Sequence, residues 1–341
     1  MPKDEFEFLT LNYMKKLIYL TGLMIISLIA CSSTVTKDGD KKEKVTITRF
    51  DREIYDFLQN PGEAKETELK EEYPLLLPAF GRIAMDNSDP ASFFPSLKEY
   101  FSHPALLQIY KDALNTFSDV SAYEDELTSA NALISENFAG RKMPELAMHV
   151  SGFRENVIIL SNLISISTDK YLGSEYPAYK EFFQPYERQQ MQPKYIVRDY
   201  LRAWLMSDII KSETDDQTLL SAMVNEGKIL YALSVLLPEK DRNDLIGYTS
   251  AQSEWCKENE KETWKTIVKQ NYLFSTDNMI VTRFINDAAY TAPISQSAPG
   301  RTGCWTGWQI VEKFAKRKGV SLQEVVNTDA QTILKESKYN P

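Results

Sequence analysis

The sequence predicts an α+β fold that is predominantly helical and carries one small, mostly antiparallel sheet. Three observations lead there. Apolar residues recur three and four apart over most of the chain, the period of helices with one buried stripe. A single region, 146–167, is dense in β-branched residues and long enough for two paired strands. The composition is 43% hydrophobic, 11% aromatic and 26% charged, and roughly 300 residues from Val45 onward suffice for one large core. The net charge of −9 argues against a nucleic-acid or anionic-membrane surface.

Residues 1–30 read as upstream residues plus an export signal. Met1–Tyr13 is polar; Met14-Lys15-Lys16 and the run Leu17–Ala30 then supply a basic segment and an apolar one. That run is shorter than the about 20 apolar residues of a membrane span. It ends in Leu28-Ile29-Ala30-Cys31, which resembles the bacterial lipobox: Leu three positions before the cysteine, a small residue just before it, and Ser32-Ser33 after. The pattern makes Cys31 the lipidated first residue of the mature chain and its attachment to the membrane. Ser32 is compatible with outer-membrane sorting. Residues 31–44 read as the lipidated cysteine and a flexible tether, charged and free of aromatics. Residues 45–341 read as one helix-rich domain: a helical part over 45–145, then the sheet, a central helix and the C-terminal helices over 146–341.

Within that domain, Val45–Phe50 alternates and is β-branched, so a short strand should lead into an amphipathic helix near Glu53–Leu58. Glu63–Tyr73 holds helix formers, and Pro74 and Pro78 should break the Leu75–Leu77 run. Ser92–Phe138 has helical spacing, with Pro104 suited to a first turn and His103 beside it as a cap neighbour. Leu146–Ser151 and Asn156–Ser167 read as two paired strands. Later helices are expected from Glu226-Gly227 to Leu237, over Ser250–Tyr272, and over Gly303–Phe314. Gly303 and Gly307 would admit another backbone closely, their flanking tryptophans pointing to packing rather than a phosphate loop. Ser321-x-x-Glu324 is a capping-box signature. Cys256 and Cys304 are either a disulfide, as in many exported proteins, or buried thiols.

The central helix, Tyr195–Trp204, carries the most informative polar pattern. Zinc peptidases place two imidazoles at i and i+4 of one helical face, with a glutamate base, in H-E-x-x-H. The same frame here reads Arg198-Asp199-x-x-Arg202, and Glu226 follows 24 residues after Arg202, where a third ligand could lie. Guanidinium has no lone pair to give a cation, so these arginines cannot bind zinc. The plainer reading of the same residues is a packing helix with an Asp199–Arg202 i,i+3 pair. His103 and His149 are the only histidines, too few for a histidine-based site.

Taken in order, Arg49-Phe50-Asp51, Asp169-Lys170-Tyr171-Leu172-Gly173, Asn225-Glu226-Gly227-Lys228, Glu254-Trp255, Asn259-Glu260 and Pro299-Gly300-Arg301-x-Gly303-x-Trp305-x-Gly307-Trp308 complete the pattern. With the lipobox they resemble the B-type gliding-motility-associated lipoproteins of the Bacteroidetes over nearly the whole mature chain. Those lipoproteins are in turn similar to predicted zinc-dependent proteases with H-E-x-x-H. The resemblance implies a zincin-like, metallopeptidase-like domain whose site has degenerated at Arg198, Asp199, Arg202 and Glu226.

It therefore implies a lipid-anchored, outer-membrane envelope protein without catalysis, metal or cofactor, acting in gliding or related machinery through an envelope protein partner. In such a site Glu226 would face both Arg198 and Arg202. The alternative is a metal-dependent hydrolase with a rearranged carboxylate site of Asp169, Asp199 and Glu226, joined by His149. A solute-binding fold is disfavoured, because it would alternate strands and helices throughout.

Overall fold

The computed structural model describes residues 43–87, 89–210 and 217–341, so the expectations for Cys31 and the export signal fall outside the described residues. The N-terminal part opens with β1 (Ile47–Thr48) and six helices: α1 (Phe50–Gln59), α2 (Glu63–Glu72), α3 (Leu76–Met85), α4 (Phe93–Tyr100), α5 (Pro104–Thr116) and α6 (Ser121–Asn137). The Ser92–Phe138 expectation thus resolves into three helices. His103 caps the second, its Nδ1 accepting from Ala105 N at 3.3 Å, with Pro104 in the first turn. Pro78 does not break its apolar run as expected. It sits in the first turn of α3, where no intrahelical donor is required, and Leu76 and Leu77 are buried.

The sheet follows as β2 (Glu145–His149), β3 (Val157–Leu160) and β4 (Leu163–Ser167). Its order is β1-β2-β4-β3, with β1–β2 and β2–β4 parallel and β3–β4 antiparallel. The expected mostly antiparallel sheet is therefore corrected to a mixed one. The physical reason lies in 156–167, which reads as one strand but folds back at Ser161-Asn162 into a tight hairpin. That turn sends β3 to the far side of β4 and leaves β4 to run alongside β2.

Eleven further α-helices follow among the described residues, besides 3-10 turns at Thr168–Lys170 and Pro193–Tyr195 and a π-helical turn at Leu205–Ile209: α7 (Tyr179–Phe182), α8 (Pro185–Arg188), α9 (Ile196–Trp204), α10 (Leu219–Leu236), α11 (Arg242–Ile246), α12 (Ser250–Glu258), α13 (Glu260–Lys269), α14 (Asn278–Ile285), α15 (Thr302–Lys318), α16 (Leu322–Asn327) and α17 (Ala330–Ser337). Helix α9 buries Val197, Tyr200, Leu201 and Trp204 in the central core with Met148 and Ile166 of the sheet. Each such fully buried side chain contributes about 1.5–3 kcal/mol.

Helices α10 and α15 meet through glycines. A Cβ on Gly227 would stand 2.3 Å from Gly307 O, and one on Gly307 would stand 1.7 Å from Met223 O. Gly303 makes its own close approach, to Phe284 O of α14. The expected close packing at this glycine pair is present, and it fixes Glu226, the neighbour of Gly227. Ser321 and Glu324 form the expected capping box. Cys256 and Cys304 are buried free thiols rather than a disulfide; Cys304 Sγ lies 3.3 Å from Ile285 O.

Candidate functional site

Helical geometry places Arg198 and Arg202, one turn apart, on the same side of α9, opposite its buried stripe. They line a cleft of about 730 Å³. Asn156, Val157 and Ile159 form its strand wall; Asp199, Ala203 and Met206 come from α9 and the turn after it. Glu226 of α10, Gln190, Leu245, Ile285–Asp287 and Arg301 complete the lining. All four residues singled out from the zinc-peptidase frame are cationic or paired with a cation, and all four share this one cleft.

They pair differently from the expectation. Arg202 Nη2 alone reaches both oxygens of Glu226, at 2.8 and 2.9 Å. Arg198 does not join it. Its Nε donates to Asp199 Oδ1 at 2.7 Å, and its Nη1 donates to Gln190 Oε1 and Asp244 O, both at 3.1 Å. The guanidinium also lies 4.1 Å above the Tyr195 ring. So Glu226 facing both arginines is corrected: the adjacent Asp199 competes for Arg198 at shorter reach. The Asp199–Arg202 i,i+3 pair does not form either.

Asp199 is further tied by Tyr171, whose hydroxyl donates to Oδ2 at 2.8 Å and accepts from Asn156 Nδ2 at 2.8 Å. Burial, reinforced by the Asp199 charge, pushes the Tyr171 phenol well above its usual value, so it stays a donor. At the Arg202–Glu226 pair burial opposes charge on both partners. The pairing outweighs it, holding Glu226 below the usual carboxylate value and Arg202 above the usual guanidinium value.

The residue that sequence reasoning left without a role is Arg301. It precedes α15 in a left-handed conformation, φ 62°, uncommon for a side chain of this size. Its Nη1 donates to Ile246 O at 3.0 Å and its Nε lies 3.5 Å from Asp287 Oδ1. The turn before it is pinned by Thr291 Oγ1 donating to Pro299 O at 2.6 Å and Tyr248 OH donating to Gly300 O at 2.5 Å. Its position in a dense Pro-Gly-Arg motif was the available signal.

Asp169 and His149 lie elsewhere. Asp169 is fully buried and accepts from Ser151 N at 3.2 Å, Phe153 N at 2.6 Å and Ser167 Oγ. His149 Nδ1 lies 2.8 Å from Ser165 Oγ, and burial pushes its pKa down to about 3. Neither lines the cleft, so Asp169, Asp199, Glu226 and His149 do not converge. Among the described residues, no three His, Cys, Asp or Glu side chains are grouped as a metal would require.

What the cleft does offer is three guanidinium groups beside the carboxylates of Asp199, Glu226 and Asp287, amide side chains from Asn156, Gln190 and Asn286, and an apolar strand wall. A family model described as gliding motility protein GldB matches residues 32–341. No curated protein and no solved structure matches.

Proposed function

The chain belongs to the gliding motility protein GldB family, and from that premise we propose that it is a lipid-anchored, non-catalytic component of the gliding or a related envelope machinery. Its domain is a metallopeptidase-like scaffold whose cleft binds a partner and does not cut it. Cys31 is the anchor, and the outer membrane is its destination.

The observation that carries the reading is the Arg202–Glu226 ion pair. In the H-E-x-x-H frame, Arg202 takes the second ligand position and Glu226 the third. Their mutual neutralisation supplies what a metal would otherwise bring to a buried carboxylate. The base position supports it as well, because both oxygens of Asp199 are engaged, by Arg198 and Tyr171. An unpaired carboxylate poised to activate water would leave one free.

The test is elemental analysis of the purified full chain together with a fluorogenic-peptide assay. We expect substoichiometric zinc and no turnover. Zinc at one per chain with cleavage sinks the proposal. The anchor is checked separately by metabolic labelling with radioactive palmitate. Cys31→Ser should lose the label and shift the chain to the soluble fraction; an unchanged label refutes the anchor.

A further inference from the structure

Strand β3 ends the sheet, and the pairing decides which of its backbone groups are free. Ser167 N donates to Asn156 O at 2.8 Å. Hydrogen-bonded and non-hydrogen-bonded pairs alternate along an antiparallel ladder. With Ile158 opposite Ser165 and Leu160 opposite Leu163, those two residues turn their N–H and C=O groups toward β4. Val157 and Ile159 turn theirs to the open edge. These are the same two residues that wall the cleft, and Ile159 is 46% exposed. Protein edges are usually blunted by lysine, proline or a bulge. The Val157-Ile158-Ile159-Leu160 edge carries no charge and no proline.

The formal charges across from that edge balance, Arg198, Arg202 and Arg301 against Asp199, Glu226 and Asp287, but the guanidinium donors are not all used. Arg198 and Asp199 neutralise one another. Glu226 stands against two guanidinium groups, those of Arg202 and Arg301, whose charges both act on it. Arg202 commits only Nη2 to Glu226, and its side chain stays 27% exposed. Arg301 meets its other carboxylate, the largely exposed Asp287, only at 3.5 Å. It is held in a left-handed conformation by a turn anchored through two hydrogen bonds, and its own Nη1 bond to Ile246 O fixes the side chain. Such backbone strain persists only where the surroundings enforce it. The N–H donors that Arg202 and Arg301 leave unused suit a carboxylate, which guanidinium groups bind with directed hydrogen bonds.

We propose that the cleft takes an extended peptide as an added strand along β3 and recognises a carboxylate on it through Arg202 and Arg301. The backbone pairing gives register, and the carboxylate gives selectivity. The inference deepens the reading that this groove binds without cleaving, and it rests on that reading.

The test uses fluorescein-labelled octapeptides of alternating Thr and Val, with anisotropy measured on the intact chain. One peptide is amidated and neutral, one amidated with a single Glu, and one neutral with a free C-terminal carboxylate. We expect an acidic form to bind at least about tenfold more tightly than the neutral one. Which of the two acidic forms prevails tells a side-chain carboxylate from a terminal one. Arg202→Gln and Arg301→Asn, the latter chosen because asparagine tolerates the left-handed region, should bring the three affinities together. Ile159→Pro removes an edge donor that the ladder does not use and should abolish binding of all three.

A peptide N-methylated at alternate residues tests the same pairing with no change to the protein and should not bind. Equal affinity for neutral and acidic peptides, undiminished binding of the N-methylated peptide, or no binding at all overturns the proposal. Mass spectrometry of the recovered peptide separates the two readings. Cleaved peptide with acidic preference overturns the non-catalytic function and leaves the recognition standing.

Discussion

Two arginine–carboxylate pairs among the described residues, Arg49–Asp51 and Arg202–Glu226, are completed to different degrees. In the first, Arg49 meets Asp51 as a fork, Nε to Oδ1 at 2.9 Å and Nη2 to Oδ2 at 2.7 Å. Its third nitrogen takes Phe117 O at 2.6 Å, and the Asp51 carbonyl accepts from Tyr110 OH at 2.7 Å. Asp51 is wholly buried. These bonds tie the start of α1 to α5 and its C-terminal cap, and little donor capacity is left. In the second, one nitrogen of Arg202 serves both oxygens of Glu226, and the guanidinium still meets the cleft. A completed pair acts as scaffold, because any change strands a desolvated charge. An incompletely used pair at a cleft wall keeps donors for something else.

The contrast is broken or sharpened first by Asp51→Asn, which strands Arg49. We expect a loss of about 3–5 kcal/mol in urea unfolding followed by tryptophan fluorescence. A loss below about 1 kcal/mol would place this pair among ordinary surface interactions and end the comparison.

Acid should act next, through His149 rather than through either pair. Its folded pKa is depressed to about 3 from 6.5, so the unfolded chain takes the proton first. Stability is therefore full above about pH 6.5 and falls by about 1.4 kcal/mol per pH unit below it, about 2 kcal/mol by pH 5. The carboxylate of Glu226 is also depressed, so its contribution is present above the ordinary carboxylate value and lost only as pH falls through its lower folded value. Urea unfolding from pH 8 to 5 should show the slope, and His149→Gln, which can keep a bond to Ser165, should flatten it. An unaltered slope in that variant assigns the effect elsewhere.

Glu226→Gln is the smaller counterpart of Asp51→Asn, at about 1–2 kcal/mol, because Arg202 retains water on the cleft side. Equal losses in the two variants would make the cleft pair scaffold as well. A melting temperature that does not move at all would show the pair contributes nothing.

How much of this was legible depends on the range of the interaction. The amphipathic stripe of α9, the helix start at His103-Pro104 and the capping box at Ser321 are local, and each was readable from spacing; Gly303 and Gly307 announced a close backbone approach but not which helices make it. Arg202 and Glu226 were also readable, because the i,i+4 frame and a distant Glu-Gly constrain one another. The partner of Arg198 was not, since Asp199, Gln190 and Asp244 O compete for it and only the fold ranks them. The sheet was misread for a similar reason. Composition marks 156–167 as β-rich, but strand direction depends on one turn at Ser161-Asn162 that has no glycine to announce it. Arg301 could be noticed as part of a motif, but its conformation and its place beside Glu226 follow from the packing of the turn before α15.

The smallest expected effect concerns the depth of the cleft, and Cys304 reports on it. This thiol is fully buried yet feels the charges of Glu226 and Arg301, and burial pushes its pKa up to about 12. Cys256, buried beside Tyr248, is pushed up to about 12 as well. At pH 8 each is then thiolate in about one molecule in ten thousand, and alkylation needs both thiolate and access. Iodoacetamide should leave both unmodified in the folded chain and label both in guanidinium, by peptide mapping. A reductant should not shift the melting temperature, since no bridge links them. Labelling of Cys304 but not Cys256 in the folded state would mean that solvent passes the Arg202–Glu226 pair and reaches the α10–α15 contact. The pair would then be a gate over a deeper chamber instead of the floor of a groove.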